Sequence, residues 1–251
     1  MIDTKISGGI AVVTLKHGKV NALDIELCET LAARFKELAS SSEAKAVVLT
    51  GQGKAFSAGV NLLRLSDGGA DYVRQFMPSL HEAFAAMFFH PKPVVAAVNG
   101  HAIAGGCVLT CCADRRIMAR GDGRIGVTEL LVGVPFPVLA FEIMRLAVPA
   151  RFLPEAMYSG ATYLPDAAVE RGLIDELAEP AELLEDAYAV AQELAALSPR
   201  AFAQTKAQMR QAATERVARD AAVENAATEI WAAPETLAYV RAYVQRTLKK
   251  G

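Results

Sequence analysis

The chain predicts an α/β fold of sequential crossover units with a helical tail. Three observations carry this. Ala46–Thr50 and Val94–Val98 are short apolar runs bounded by turn signals, which read as strands buried on both faces. Strand, glycine-bearing turn and helical periodicity then recur along the first two thirds of the chain. From Pro180 onward the pattern is almost wholly helical.

Lys5–Ser7 and Ile10–Leu15 flank Gly8–Gly9 and read as a hairpin. His17–Asp24 has no periodicity of its own, and Asp24 is placed to cap a helix in which Leu27, Leu31, Phe35 and Leu38 recur at helical spacing. Lys54–Leu65 repeats the strand, turn and helix order, with Gly59 free to let the backbone approach a ligand. A polar break at Ser66–Gly69 precedes an amphipathic helix over Val73–Phe89. Pro91 and Pro93 open the strand Val94–Val98, Asn99–Gly100 ends it, and Gly105–Gly106 leads into a small-residue helix over Cys107–Ala113. Asp114–Ala119 reads as a strand, Phe141–Leu146 and Leu153–Ser159 as helices, and Leu173–Leu177 as a last strand. Pro165 and Gly172 bracket a further helix, Ser198–Pro199 and Pro234 start the tail helices, and Leu237, Val240, Val244 and Leu248 mark an apolar face.

With 251 residues, 53% hydrophobic and 22% charged, the composition is that of a globular protein with a sizeable core. A net charge of −2 gives no electrostatic reason to expect nucleic acid or an anionic membrane as partner. The N-terminus lacks a signal-peptide pattern and no run approaches membrane-spanning length, so the cytoplasm is the expected address. The four cysteines form no CxxC pair and read as core residues in a reducing compartment. No metal is expected, and neither a dinucleotide nor an NTP phosphate loop is indicated.

The chemistry is expected around Pro91–Met118, where strand, turn and helix start bring free backbone N–H groups to one point, suited to developing negative charge. Ser57 is not on a nucleophile elbow. His17, His81 and His90 read as surface or turn residues, whereas His101 follows a strand end and is a candidate for the pocket. Glu129 lies in an apolar segment punctuated by glycine and proline. It either caps a helix or pairs with an arginine, or it is a carboxylate of raised pKa that exchanges a proton with a carbon acid.

VNALD (20–24), AFSAGVNL (55–62), PKPVVAAVNG (91–100), AGG (104–106) and the Glu129 segment Gly126–Gly133 stand in the order and spacing of the crotonase, or enoyl-CoA hydratase/isomerase, superfamily, which the chain resembles over about residues 5–250. The resemblance implies a spiral of β-β-α units over residues 1–195 and a helical region, 196–251, for trimer contacts and site closure. It implies acyl-CoA substrates, no further cofactor, and a homotrimer or dimer of trimers. The oxyanion hole would use the N–H groups of Val60 and Gly105. Coenzyme A would be held by Lys19, Val20, Ala22, Leu23, Lys54, Phe56, Ser57 and Ala58. Hydratases of the family pair two glutamates; the second falls on Glu129, and the first falls on Val108, which cannot take a proton. The pattern is therefore similar to that of the Δ3,Δ2-enoyl-CoA isomerases, with Glu129 as the single proton shuttle. Leu62, Leu63, Phe76, Phe136 and the wall around Val108 are the apolar candidates for the acyl pocket. Two alternatives stay open: hydration, dehydration or thioester hydrolysis with a second group such as Glu82, Glu142 or His101, and a non-catalytic CoA-binding protein.

Overall fold

The computed structural model describes residues 1–248. Gly8 and Gly9, both at positive φ, turn β1 (Ile2–Ser7) back on β2 (Ile10–Leu15) as an antiparallel hairpin. The chain then adds parallel strands: β3 (Ala46–Gly51) beside β2, β5 (Val94–Val98) beside β3, β7 (Arg115–Ala119) beside β5 and β9 (Glu176–Ala178) beside β7. A second, three-stranded parallel sheet holds β4 (Ala55–Ser57), β6 (His101–Ile103) and β8 (Ile125–Gly126) in that order.

β5 is buried along its whole length because helices cover both faces of the large sheet. Val94, Ala96 and Val98 belong to the cluster shared with α1 (Ile25–Ser40) and α2 (Leu62–Phe88). Val95 and Ala97 pack with Leu183, Ala187 and Ala191 of α8 (Leu183–Ala195). Such two-sided burial is what a continuous Val/Ala run encodes. Asp24 caps α1, accepting from the Leu27 N–H at 3.0 Å.

The remaining helices are α3 (Gly105–Cys111), α4 (Glu129–Val132), α5 (Val138–Ala147), α6 (Leu153–Ser159), α7 (Pro165–Glu170), α9 (Pro199–Arg219), α10 (Ala221–Ala232) and α11 (Pro234–Leu248). In the tail, α9 packs on α5, while α10 and α11 pack on α2. Leu237 and Val240 are buried and Val244 half-buried; the side chain of Leu248 lies outside the described part. A buried charge cluster fixes α9 to the sheet. The Asp114 carboxylate accepts from Lys206 Nζ at 2.6 Å, from Arg210 at 2.8 Å and from the Val94 N–H at 2.8 Å.

Three details differ from expectation. Ser66–Gly69 is not a break between elements: α2 starts at Leu62, and Gly69 (φ 64°, ψ −154°) kinks it instead. β6 and β8 are strands of three and two residues, too short to show alternation. The last strand begins at Glu176, because the Leu173 and Ile174 N–H groups still close the end of α7 on the Ala168 carbonyl.

Candidate active site

The segment before α1 is tied to β4 by Asn21. Its backbone takes the left-handed conformation (φ 49°), which asparagine tolerates better than most residues. Its amide donates to the carbonyls of Ala55 and Phe56, each at 3.1 Å, and its own carbonyl accepts from the Ser57 hydroxyl at 2.7 Å. This brings Leu23 alongside Val60 in an isolated parallel bridge: the Leu23 N–H donates to Gly59 O at 2.7 Å and the Asn61 N–H to Leu23 O at 2.8 Å. The Val60 N–H between them has no hydrogen-bond partner among the described residues.

The second backbone donor lies next to the first. Ala104, the residue before α3, has φ 51° and ψ −122°, a strained conformation for a residue with a side chain. The Gly105 N–H that follows has no partner among the described residues either. Gly59 makes the approach possible. Its φ is +78°, and a Cβ there would stand 2.5 Å from Ile103 O and 3.0 Å from Gly105 N. Backbone strain and a side-chain-free crossing thus hold two unused N–H groups together, one from each strand–turn–helix unit.

Val60, and Ala104 next to Gly105, line an apolar cavity of ≈ 120 Å³. Glu129, the first residue of α4, lines the same cavity. It is 7% exposed, and its Oε2 has no hydrogen-bond partner among the described residues. Burial pushes the carboxyl up to about 7, opposed only in part by the backbone N–H groups of Glu129 and Thr128. Near neutral pH such a carboxyl is divided between its two forms, the condition for taking and returning a proton. Paired N–H donors beside it are suited to an oxygen gaining negative charge.

The other sequence candidates are distributed unevenly. Ala58 and Leu62 line the cavity. Lys19, Val20 and Lys54 are exposed and do not line it, Ala22 is half-buried, and the side chains of Leu23, Phe56 and Ser57 are buried. Val108 is 1% exposed within the core and does not line the cavity; nor does Phe136, half-buried against that core. Leu63 is exposed and Phe76 is core. The possible second acid–base groups lie elsewhere. Glu82 pairs with Lys36 at the surface, Glu142 with Arg145 and Arg216, and exposed His101 accepts the Arg124 N–H on Nδ1. His90, expected at a surface or turn, is 2% exposed.

Sequence reasoning missed Ile103, Val132 and Val134, which lie close to candidate residues, and Trp231 and Tyr243, which come from α10 and α11. Gly121–Gly126 does spell G-x-G-x-x-G, contrary to the expected absence of a dinucleotide pattern. It joins β7 to β8, however, instead of leading a strand into a helix N-terminus, so the phosphate-binding geometry of that motif is lacking. All four cysteines are buried and unpaired. Among the described residues no group of three or more His, Cys, Asp or Glu is placed to hold a metal, and no helix is long and apolar enough to cross a membrane.

A parallel β/α core whose helical tail folds over such a cavity is the crotonase fold. The family model described as enoyl-CoA hydratase/isomerase matches residues 5–236, and the chain belongs to that family of enzymes. It is 26% identical over 229 residues to the mitochondrial enoyl-CoA delta isomerase 1 of Mus musculus, covering 90% of this chain and 79% of the relative. It is 29% identical over 194 residues to the short-chain-enoyl-CoA hydratase of Clostridium acetobutylicum, covering 76% and 74%. Among solved structures, human mitochondrial delta3-delta2-enoyl-CoA isomerase superposes with a TM-score of 0.92 at 25% identity, covering 99% of this chain and 98% of that one.

Proposed function

We propose that this protein is an enoyl-CoA isomerase that moves a Δ3 double bond into Δ2 conjugation with the thioester. Ionised Glu129 removes a proton from C2 of the 3-enoyl-CoA. The electron pair delocalises into a dienolate, whose oxygen receives hydrogen bonds from Val60 and Gly105, roughly 3–4 kcal/mol from each donor. Protonated Glu129 then returns the proton at C4, leaving the 2-enoyl ester and the carboxylate as it began. Atoms and charge balance with no cofactor beyond the coenzyme A of the substrate. Exposed Lys19 and Lys54 suit its phosphates, and the backbone of Val20–Leu23 and Phe56–Ala58 its pantetheine arm.

One observation carries the reading: Glu129 is the single carboxylate among the residues lining the cavity. Hydration needs a second group to activate water, and Glu82, Glu142 and His101 are engaged away from the cavity. Exposed Leu130, Leu131, Leu164 and Ile230 suit contacts with further copies of the chain, for which a homotrimer or dimer of trimers is proposed. The test is to incubate the protein with a 3-enoyl-CoA and, separately, a 2-enoyl-CoA. The expected result is conjugated-thioester absorbance from the first with no change in mass, abolished in Glu129→Gln. Gain of water by the 2-enoyl ester, or an undiminished Glu129→Gln protein, refutes the proposal.

A further inference from the structure

The cavity has an open and a closed end. Ala58, Val60, Leu62, Ile103, Ala104 and Tyr243 are half-buried and form its more open side. Val132, Val134 and Trp231, exposed by 5%, 2% and 2%, close the other end. The coenzyme A arm of a bound ester leaves on the half-buried side, and its acyl tail runs inward toward buried Trp231. The indole is not free to swing aside. Its Nε1–H donates to the Pro135 carbonyl at 2.8 Å, tying it to the loop that follows α4 and carries Val134. Turning the ring away would strand the buried indole donor without its acceptor.

We infer that Trp231 limits the acyl length this site accepts. The inference rests on the acyl-CoA reading above and names its substrate class, short-chain enoyl-CoA esters. The cavity of ≈ 120 Å³ is somewhat smaller than the apolar cavity of about 150 Å³ that holds one benzene, which corresponds to an acyl group of roughly four to six carbons. A longer tail meets the indole before its thioester reaches the Val60 and Gly105 N–H groups.

Binding of saturated esters tests this apart from turnover, because they lack the double bond to be moved. Dissociation constants for butanoyl-CoA, decanoyl-CoA and free coenzyme A are measured by calorimetry on the intact oligomer, for the parent, Trp231→Ala and Trp231→Phe. The parent is expected to bind butanoyl-CoA at least tenfold more tightly than decanoyl-CoA. Trp231→Ala is expected to erase that ratio by gaining affinity for decanoyl-CoA, and Trp231→Phe to lower it about threefold. If Trp231→Ala does not fold, Trp231→Phe, which keeps an aromatic ring in the core, decides the question. Equal binding of both esters by the parent, or a folded Trp231 variant with the parent's ratio, overturns the inference while leaving the acyl-CoA reading intact. Esters that bind no better than free coenzyme A overturn both.

Discussion

Glu129→Gln separates the stability of the fold from the chemistry it serves. Burial raises the carboxyl from an ordinary 4.5 to about 7, a difference worth about 3 kcal/mol at 25 °C. A raised folded-state pKa means that the native protein holds the proton more tightly than the unfolded chain. Below about pH 4.5 both states are protonated and the group costs nothing. As pH rises to about 7 the unfolded chain ionises first, and stability falls by up to 1.4 kcal/mol per pH unit. Above about 7 the loss is complete and constant. Glutamine has no proton to exchange, so the variant lacks this slope. Urea unfolding at a fixed protomer concentration, repeated from pH 5 to pH 8, should show variant minus parent stability growing by about 2.5 kcal/mol and levelling above pH 7. Any fixed penalty from the glutamine itself drops out of the pH dependence. A difference that is flat with pH would mean that Glu129 is solvated or paired, and the proton-shuttle chemistry would lose its basis.

Asp114→Ala leaves Lys206 and Arg210 buried without their shared carboxylate, and the urea midpoint should report a loss of about 3–5 kcal/mol, more than Lys206→Met removes. Gly59→Ala places a methyl group against Ile103 O and Gly105 N at a φ of +78°; kcat is expected to fall about 100-fold because the two N–H donors are forced apart, and the stability of the folded protein by about 1–3 kcal/mol. Burial, reinforced by Lys206 and Lys92, pushes His90 down from 6.5 to about 3, so the native state refuses a proton that the unfolded chain takes. Its contribution is intact above about pH 6.5 and is lost as pH falls toward 3; His90→Leu should therefore outlast the parent by about 2 kcal/mol at pH 5, measured by urea unfolding.

What was legible in the sequence were the features encoded by consecutive residues. The hairpin, α1, β3 and β5 declare themselves because two-faced burial demands an unbroken apolar run and one-faced burial a helical period. Glu129 stood out because an acid within GVTELLVG is hard to solvate. β6 and β8 gave no such signal: three and two residues cannot show a period, and exposed His101 begins one of them. Trp231 and Tyr243 were hidden for another reason. On α10 and α11 they resemble any aromatic facing a core, and only the packing of those helices on α2 makes that core a cavity wall. Val108 shows the converse, since motif spacing directed attention to a buried side chain that is not among those lining the cavity.

That two walls of the cavity arrive from α10 and α11 has a consequence for the order of synthesis. Domains emerging from the ribosome build from their N-terminal end. The crossing at Gly59, the strained Ala104 and Glu129 can all be assembled while residues 231 and 243 are still untranslated. At that stage the pocket is an open, wet cleft, and a wet carboxyl has the acidity of any surface glutamate. Docking of the last helices completes the burial that raises the Glu129 carboxyl toward 7. The nascent chain can therefore build its core before the burial that sets this acidity is complete.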